Sequence, residues 1–496
     1  MNVHATLAAV DLGSNSFRLQ VGRVVGKQIY ELDSLKETVR LAAGLDGNKK
    51  LTDACQQSAL ATLHRFGERL RGFAPEAVRA VGTNTLRVAK NSALFLRHAE
   101  AALGFPIEII AGREEARLIY AGVAHGMPGS DERRLVVDIG GGSTECILGE
   151  GIDPIKTESL YMGCVSYTRR FFADGRIDED RLAQAELAAR AEVEVISAGF
   201  RATGWQHVIG SSGTARAIAE VLRANGWAES TITQTGLRKL RAALLKAGEV
   251  KKLDLAGLTA DRAPIIFGGF AIMAAIFAEF GLEEMSLSDY ALRHGVLYDL
   301  LGRTHQHDMR ETTVNAFMRR YQVDSAQAGR VASAAAGFFA QIATSISPPE
   351  REHQMQLLTW AARLHEVGIS IAYASYHKHS AYILQNADMP GFSRMDQTDL
   401  ASIVQAHRGA LTKAETAFAR PNLLPLILAL RLAALLARGR SNTPLAVVEL
   451  GLINGGYALA IDQAWLENHP LTETALTKEL GQWSGIRVDL RLERLA

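Results

Sequence analysis

The chain has 496 residues, too many for one ordinary core, so about two to four domains are expected. Hydrophobic residues make up 48% and charged residues 22%, the balance of a soluble globular protein. A net charge of +1 excludes a global pull toward nucleic acid or anionic membrane, so any polyanion site must be a local patch.

Cys55, Cys146 and Cys164 are few, odd in number and widely spaced. They fit a reducing compartment and exclude a disulfide framework or a CxxC metal site. No basic segment or small-residue cleavage site precedes Asp11, so no signal peptide is expected. Two apolar runs, Ala263 to Ala278 and Leu423 to Ala437, fall short of the ~20 residues of a membrane span. Both are expected as buried helices, and the protein as cytoplasmic with no integral membrane segment.

Thr6 to Val10 is apolar and Phe17 to Val21 alternates, which predicts two strands around Asp11-Leu12-Gly13-Ser14-Asn15-Ser16. Gln28 to Val39 reads as a third strand, and Leu51 to Phe73 as an amphipathic helix with Thr52 at its N-cap. Ala77 to Gly82 is a short strand, and Arg87 falls just past it, where α/β folds place ligand groups. A solvated arginine at a helix start explains Arg87 equally well. Pro106 to Ala111 is another strand, running into a helix from Gly112 through Ala124. There Glu115 shares a face with Leu118, Ile119 and Gly122, while Glu114 lines up with Arg117 for a surface pair. Two acids in a first turn can simply complement the helix dipole. If one of them faces a cleft, it is Glu115.

Arg134 to Gly149 reads as strand, glycine turn, strand: Asp138 precedes Gly140-Gly141-Gly142, and Ser143, Thr144 and Glu145 follow. Glycines let the main chain come close to phosphate oxygens, which backbone N–H groups and hydroxyls suit. Carboxylates beside a phosphate repel it unless a cation lies between, so Asp138 and Glu145 point to Mg²⁺. An ordinary glycine hairpin is the alternative. Asp-x-Gly with hydroxyls between strands occurs at Asp11 and again at Asp138, which suggests two similar α/β domains facing a shared cleft.

Pro154 to Tyr161 reads as a strand, with helices at Cys164 to Phe172 and Glu179 to Phe200. His207 to Gly213 is a strand and a turn that opens a helix at Thr214, so Ser211 and Gly213 sit at a third anion-compatible site or a plain N-cap. Ile265 to Met273 is a buried helix, and Ser286 to Asp289 leads into a helix through Leu301. The polar stretch Gly302 to Arg310 marks a domain boundary. Long helical patterns follow. His365-Glu366, His377, His379 and His407 could bind a metal, although scattered structural or surface histidines are the more economical reading. Leu445 to Ile453 and Tyr457 to Ile461 flank Asn454-Gly455-Gly456 as a hairpin, and a helix at Leu471 to Trp483 and a strand at Ile486 to Leu492 complete a small α/β piece.

The motifs DLGSNSF, VGTNTLR, GREEARLIY, VVDIGGGSTE, MGCVSY, GSSGT, LSDYALRHGVLY, LHEVG and HKHSAYILQNADMPGF occur in that order. Together they resemble the exopolyphosphatase and guanosine pentaphosphate phosphohydrolase family over essentially the whole chain. The resemblance implies two actin-like (ribonuclease H-like) ATPase-superfamily α/β domains, an all-α HD-like domain and a small α/β C-terminal domain. With the boundaries above, these are residues 1–124, 125–303, 304–441 and 442–496. VGTNTLR, GGGSTE and HKHSAYILQN favour the exopolyphosphatase branch, whereas LIYAGVAHG leans toward the pentaphosphate branch linked to the stringent response.

By the same resemblance Glu115 is the general base, and Asp138 and Glu145 hold Mg²⁺ and order the attacking water, Glu145 thereby sharing in catalysis. Mn²⁺ is an alternative ion and K⁺ a further monovalent candidate. Asp11, Gly13, Ser14, Asn15, Ser16, Arg87, Gly140, Gly141, Gly142, Ser143, Thr144, Ser211 and Gly213 form the expected phosphate cradle. Arg113, Lys378 and Arg408 are candidates, with Arg87, for a basic track. Three departures stand out: His365-Glu366 replaces a His-Asp pair, Tyr290 and His294 replace a glycine and a glutamate, and Gly268 replaces a proline. The expected partners are inorganic polyphosphate or guanosine pentaphosphate, no nucleic acid, and a second copy of the chain in a homodimer. An actin-like ATP-binding assembly protein is the competing class that the fold alone supports.

Overall fold

The computed structural model describes residues 4–127, 132–304, 308–414, 420–440 and 448–495. The chain forms two compact units, Met1–Met309 and Arg310–Ala496. The division expected at 442, the start of the expected hairpin at 445–447 and part of the polar stretch 302–310 lie outside the described residues.

In the first unit β1 (Thr6–Leu12), β2 (Ser16–Val25) and β3 (Gln28–Thr38) form a meander. After α1 (Asp53–Arg69) come β4 (Val78–Gly82), α2 (Asn84–Val88), α3 (Ser92–Leu103) and β5 (Ile107–Ile109). The sheet order is β3-β2-β1-β4-β5, with the meander antiparallel and β1, β4 and β5 parallel. Thr52 occupies the N-cap of α1 as expected but makes no side-chain cap bond, and the helix stops short of Phe73, just before left-handed Gly72.

Next come α4 (Gly112–His125), β6 (Arg133–Ile139), β7 (Thr144–Glu150), β8 (Asp153–Leu160), α5 (Cys164–Phe171) and α6 (Glu179–Thr203). They are followed by β9 (His207–Gly210), α7 (Gly213–Ala224), β10 (Ile232–Thr233), α8 (Gln234–Ala247), α9 (Ile266–Phe280), β11 (Glu284–Leu287) and α10 (Leu292–Thr304). The second sheet, β10-β11-β9-β6-β7-β8, repeats the first, an antiparallel meander and then parallel strands, and adds the short antiparallel edge strand β10.

The strand alternation explains the layering. On β1, Ala8, Val10 and Leu12 join the core under α1 and α3, while Leu7 and Ala9 face the opposite way. On β6, Leu135, Val137 and Ile139 pack with α5 to α9, while Val136 faces the other side. The opposite faces meet in one central core with Leu118, Tyr120 and Val123 of α4 and Val296, Leu297 and Leu300 of α10. Two helices are thus sandwiched between two sheets, whose parallel central strands are covered on both faces, while the meander edge β3 is largely exposed. The apolar segment Ala263–Phe280 is long enough to cross a membrane, but 67% of it is buried within this unit.

The second unit contains α11 (Met309–Arg320), α12 (Ser325–Ile342), α13 (Pro348–Leu364), α14 (Tyr376–Asn386), α15 (Arg394–Ala406) and α16 (Leu424–Leu436). It ends with β12 (Val448–Ile453), β13 (Gly456–Asp462), α17 (Gln463–Glu467), α18 (Pro470–Ser484) and β14 (Asp489–Leu495). The β12–β13 hairpin turns at Gly455, whose φ of 84° needs a glycine, and β14 pairs parallel to β13. Leu459, Ile461, Leu476 and Trp483 share one core with Leu358, Leu400 and Leu430 of the helices. The segment Pro421–Gly439, also apolar enough to cross a membrane, is 56% buried here.

Candidate active site

Both Asp-x-Gly loops lie at strand ends and close by the same device. A β-carbon on Gly13 would sit 2.9 Å from the Ser16 carbonyl, and one on Gly140 3.1 Å from the Ser143 carbonyl. The Gly140 N–H donates to that Ser143 carbonyl at 2.9 Å. The loops face each other: a β-carbon on Gly141 would lie 3.1 Å from Ser14 Cβ and 3.3 Å from the Asn15 nitrogen. Between them is a cavity of about 120 Å³.

Most of the expected cradle lines this cavity. Asp11, Gly13, Ser14, Asn15, Ser16, Glu115, Asp138, Gly140, Gly141, Gly142, Ser143, Ser211 and Gly213 are all on its wall. Three expected members are not. Thr144 turns its buried hydroxyl to the Met162 carbonyl, donating at 2.6 Å. Arg87 donates through Nη1 to Glu115 Oε2 at 2.7 Å and to the Ile110 carbonyl at 2.9 Å, so it backs Glu115 rather than facing the cavity. Glu145 lies behind the wall, where its Oε1 accepts from the Ser159 hydroxyl at 2.8 Å. Ser211 donates to Asp138 Oδ2 at 2.6 Å, and Ser212 caps α7 by accepting from the Ala215 nitrogen at 3.0 Å.

Four guanidinium groups on the wall have no counterpart in the sequence reading: Arg18, Arg216, Arg262 and Arg293. They come from β2, α7, the segment before α9, and α10, with no shared local motif. Position relative to a recognised loop was the available signal, since Arg18 directly follows DLGSNSF and Arg216 follows GSSGT. Arg262 explains Gly213, because a β-carbon there would lie 2.2 Å from Arg262 Nη2. Glu114 also differs from expectation. It is buried, and so is its partner Arg117, because α10 packs over that face of α4.

The cavity brings buried charges of both signs together. Burial, then the nearby Glu115, pushes the Asp11 carboxyl up to about 7. Burial also raises Glu115 against the pull of Arg87, and raises Asp138 against the Ser211 hydrogen bond and Arg216. Glu145 is raised by burial and by the charges of Glu115 and Asp138. In the opposite sense, burial and the neighbouring Arg18 and Arg216 lower Arg293 to about 10, and burial lowers Arg18. Arg18 and Arg293 in turn pull the Asp11 and Asp138 carboxyls down, so the two signs share one wall.

The residues present fit a divalent cation. Asp11 Oδ1 is buried without a hydrogen-bond donor, and the neighbouring carboxylates are hard oxygen ligands that repel one another. Among the described residues no three carboxylate, histidine or cysteine side chains form a ready cage. An ion at Asp11 and Asp138 would keep several waters, as Mg²⁺ does.

The second unit has its own cavity of about 310 Å³, lined by His365, Glu366, Tyr376, His407 and Arg408 among others. The His365 and His407 rings meet edge-on at 5.1 Å, and each Nδ1 is hydrogen-bonded to a main-chain carbonyl, Ala362 at 2.6 Å and Val404 at 2.5 Å. Glu366 accepts from Arg440 at 2.5 Å. His379 lies outside this cavity, and His377 and Lys378 line a neighbouring one. Arg408 lies over the Tyr373 and Tyr376 rings, and Arg113 pairs with Glu158 at 2.9 Å.

Two repeated sheets present facing Asp-x-Gly loops to one charged cavity, the arrangement of an α/β enzyme built for phosphate chemistry. Residues 20–304 match the Ppx/GppA phosphatase family, and residues 309–480 match Ppx/GppA phosphatase domain III. The chain belongs to the Ppx/GppA phosphatase family; it is an enzyme, a phosphoanhydride hydrolase. Among solved structures, an exopolyphosphatase from Cytophaga hutchinsonii is 25% identical, with a TM-score of 0.55 over 60% of this chain and 98% of that one. An Aquifex aeolicus PPX-GPPA enzyme is 24% identical, with a TM-score of 0.50 over 59% and 98%, and shares the fold.

Proposed function

We propose that the enzyme is an exopolyphosphatase that removes orthophosphate from the end of inorganic polyphosphate with the help of Mg²⁺. The observation that carries this reading is the density of buried charge: four guanidinium groups crowd one cavity with Asp11, Glu115 and Asp138, and Glu145 lies behind. A chain of phosphates relieves the first set, and a cation the second. Phosphoryl transfer asks mainly for positioning and charge neutralisation, which this wall supplies.

The loop N–H groups of Gly13 to Asn15 and Gly140 to Ser143 hold the terminal phosphates, and Arg18, Arg216, Arg262 and Arg293 neutralise them. Arg87 occupies Glu115 Oε2 and favours the carboxylate, which leaves the other oxygen to take a proton from water. Asp138, oriented by Ser211, with Asp11 and Glu145 nearby, would hold the cation, whose charge offsets that of the phosphoryl oxygens. Glu115→Gln should bind polyphosphate and lose about 100- to 10,000-fold in turnover. Unchanged turnover removes Glu115 from this role.

The LIYAGVAHG stretch keeps guanosine pentaphosphate as the second reading. Phosphate release measured side by side on long polyphosphate and guanosine pentaphosphate decides between them, and a strong preference for the nucleotide overturns the first. The same reading carries a cytoplasmic homodimer, which fractionation and analytical ultracentrifugation test.

A further inference from the structure

The first unit buries a second set of charges away from the cavity, in the central helical layer. Arg117 donates to both Glu114 oxygens, at 2.7 and 2.8 Å, and also to Asp299. Asp299 accepts from Arg79 at 2.7 Å and from Arg303 at 3.1 Å, and Arg79 donates twice to Glu108, at 3.1 and 2.9 Å. Burial alone would raise the Asp299 carboxyl, but Arg117, Arg79 and Arg303 hold it well below the usual carboxylate range.

Buried ion pairs are on average no more stabilising than apolar side chains of the same volume, so their worth is sought in what they fix. Here they fix a helix crossing. A β-carbon on Gly295 of α10 would lie 1.7 Å from the Leu118 carbonyl of α4, and one on Gly122 would lie 2.5 Å from the Ala291 carbonyl. Where the two backbones touch at these glycines no side chain keys their rotation and register, although apolar side chains pack on either side. Glu114 precedes Glu115, so the turn of α4 that aims Glu114 at Arg117 also aims Glu115 at the cavity. At the start of α10, Leu292 and Arg293 are on the same cavity wall.

We propose that Arg117 and Asp299 are positioning residues for the reaction. Their ion pair holds α4 and α10 in the register that puts Glu115 and Arg293 on one cavity. This rests on the role of Glu115 given above.

The test is steady-state kinetics well below the melting temperature, on whichever of the two substrates the wild type cleaves. Asp299→Asn keeps the shape and removes the charge; kcat should fall about 10- to 100-fold with KM within about twofold, since a misplaced reacting group costs rate. Glu108→Gln, at the sheet side of the network, should lower the melting temperature and keep kcat. Wild-type kcat in Asp299→Asn overturns the proposal, and so does an equal loss in both variants. If Asp299→Asn does not fold, Arg117→Lys keeps the charge but loses the planar fork. The same fall in kcat then supports the proposal, and wild-type kcat overturns it. Glu115→Gln run alongside separates the two ideas. An active Glu115→Gln sinks the reading of the base, whereas an inactive one beside a full-speed Asp299→Asn sinks only the network's role.

Discussion

The two Asp-x-Gly loops share a backbone and differ in charge. Asp11 pairs across its hairpin with Arg18, and Asp138 pairs across an equally long loop with Glu145. Each loop is braced by main-chain donors from a later segment. The Asn15 and Ser14 carbonyls accept from the Arg40 and Ala42 nitrogens at 2.7 and 2.8 Å. The Gly140 and Gly141 carbonyls accept from Cys164 and Val165 at 2.9 and 3.0 Å. The repeated backbone offers two similar turns to one cavity. The register partner is a guanidinium in one loop and a carboxylate in the other, so on the reading proposed above Arg18 meets the anion while Asp138, with Asp11, meets the cation.

The sharpest way to break this contrast is to remove one charge from each loop. Asp138→Asn should cut kcat by about 100- to 1,000-fold, the usual cost of losing one preorganised electrostatic contact. Arg18→Gln should act chiefly on KM, raising it about 10- to 100-fold, in line with one lost hydrogen bond to a charged group. Equal losses of kcat with unchanged KM in both variants would mean that the loops do the same job.

A subtler difference concerns protons. Asp138 has the Ser211 hydroxyl, whereas Asp11 Oδ1 has no donor, and burial followed by Glu115 lifts Asp11 from the ordinary 3.8 to about 7. The native state then holds a proton that the unfolded chain releases, so this stabilisation is complete below about pH 3.8 and lost as pH rises through about 7. In metal-free buffer the melting temperature of the wild type should therefore fall, relative to Asp11→Asn, between those values. A pH-independent difference counts against it. The smallest effect is expected at Thr85, whose buried hydroxyl donates to Ser14 Oγ at 2.8 Å. Thr85→Val should lose about 1 kcal/mol in urea unfolding and leave kcat within about threefold.

The loops, their strands and Glu115 were legible because each is a local pattern: alternation, a glycine turn, a helical face. The four cavity arginines were not, because each belongs to a different element and only the folded sheets bring them together. Glu114 misled for a related reason. Its spacing to Arg117 is the same on a wet or a buried face, and the sequence of α4 carries no sign that Gly295 lets α10 lie against it. Arg87 was expected in the phosphate cradle, but the tertiary fold turns its Nη1 to Glu115 and the Ile110 carbonyl.

In the second unit, Trp483 donates its indole N–H to Glu479 at 2.8 Å, and Glu479 in turn holds Arg431 of α16 at 2.5 and 2.8 Å. The terminal strands and helix are therefore no detachable appendix. Trimming the chain after residue 440 would strand Arg431 as a buried cation without its counter-ion, at a cost of about 3 to 5 kcal/mol, and bare the apolar ends of the helices. A shortened version of this enzyme is better cut near residue 310, between its two compact units.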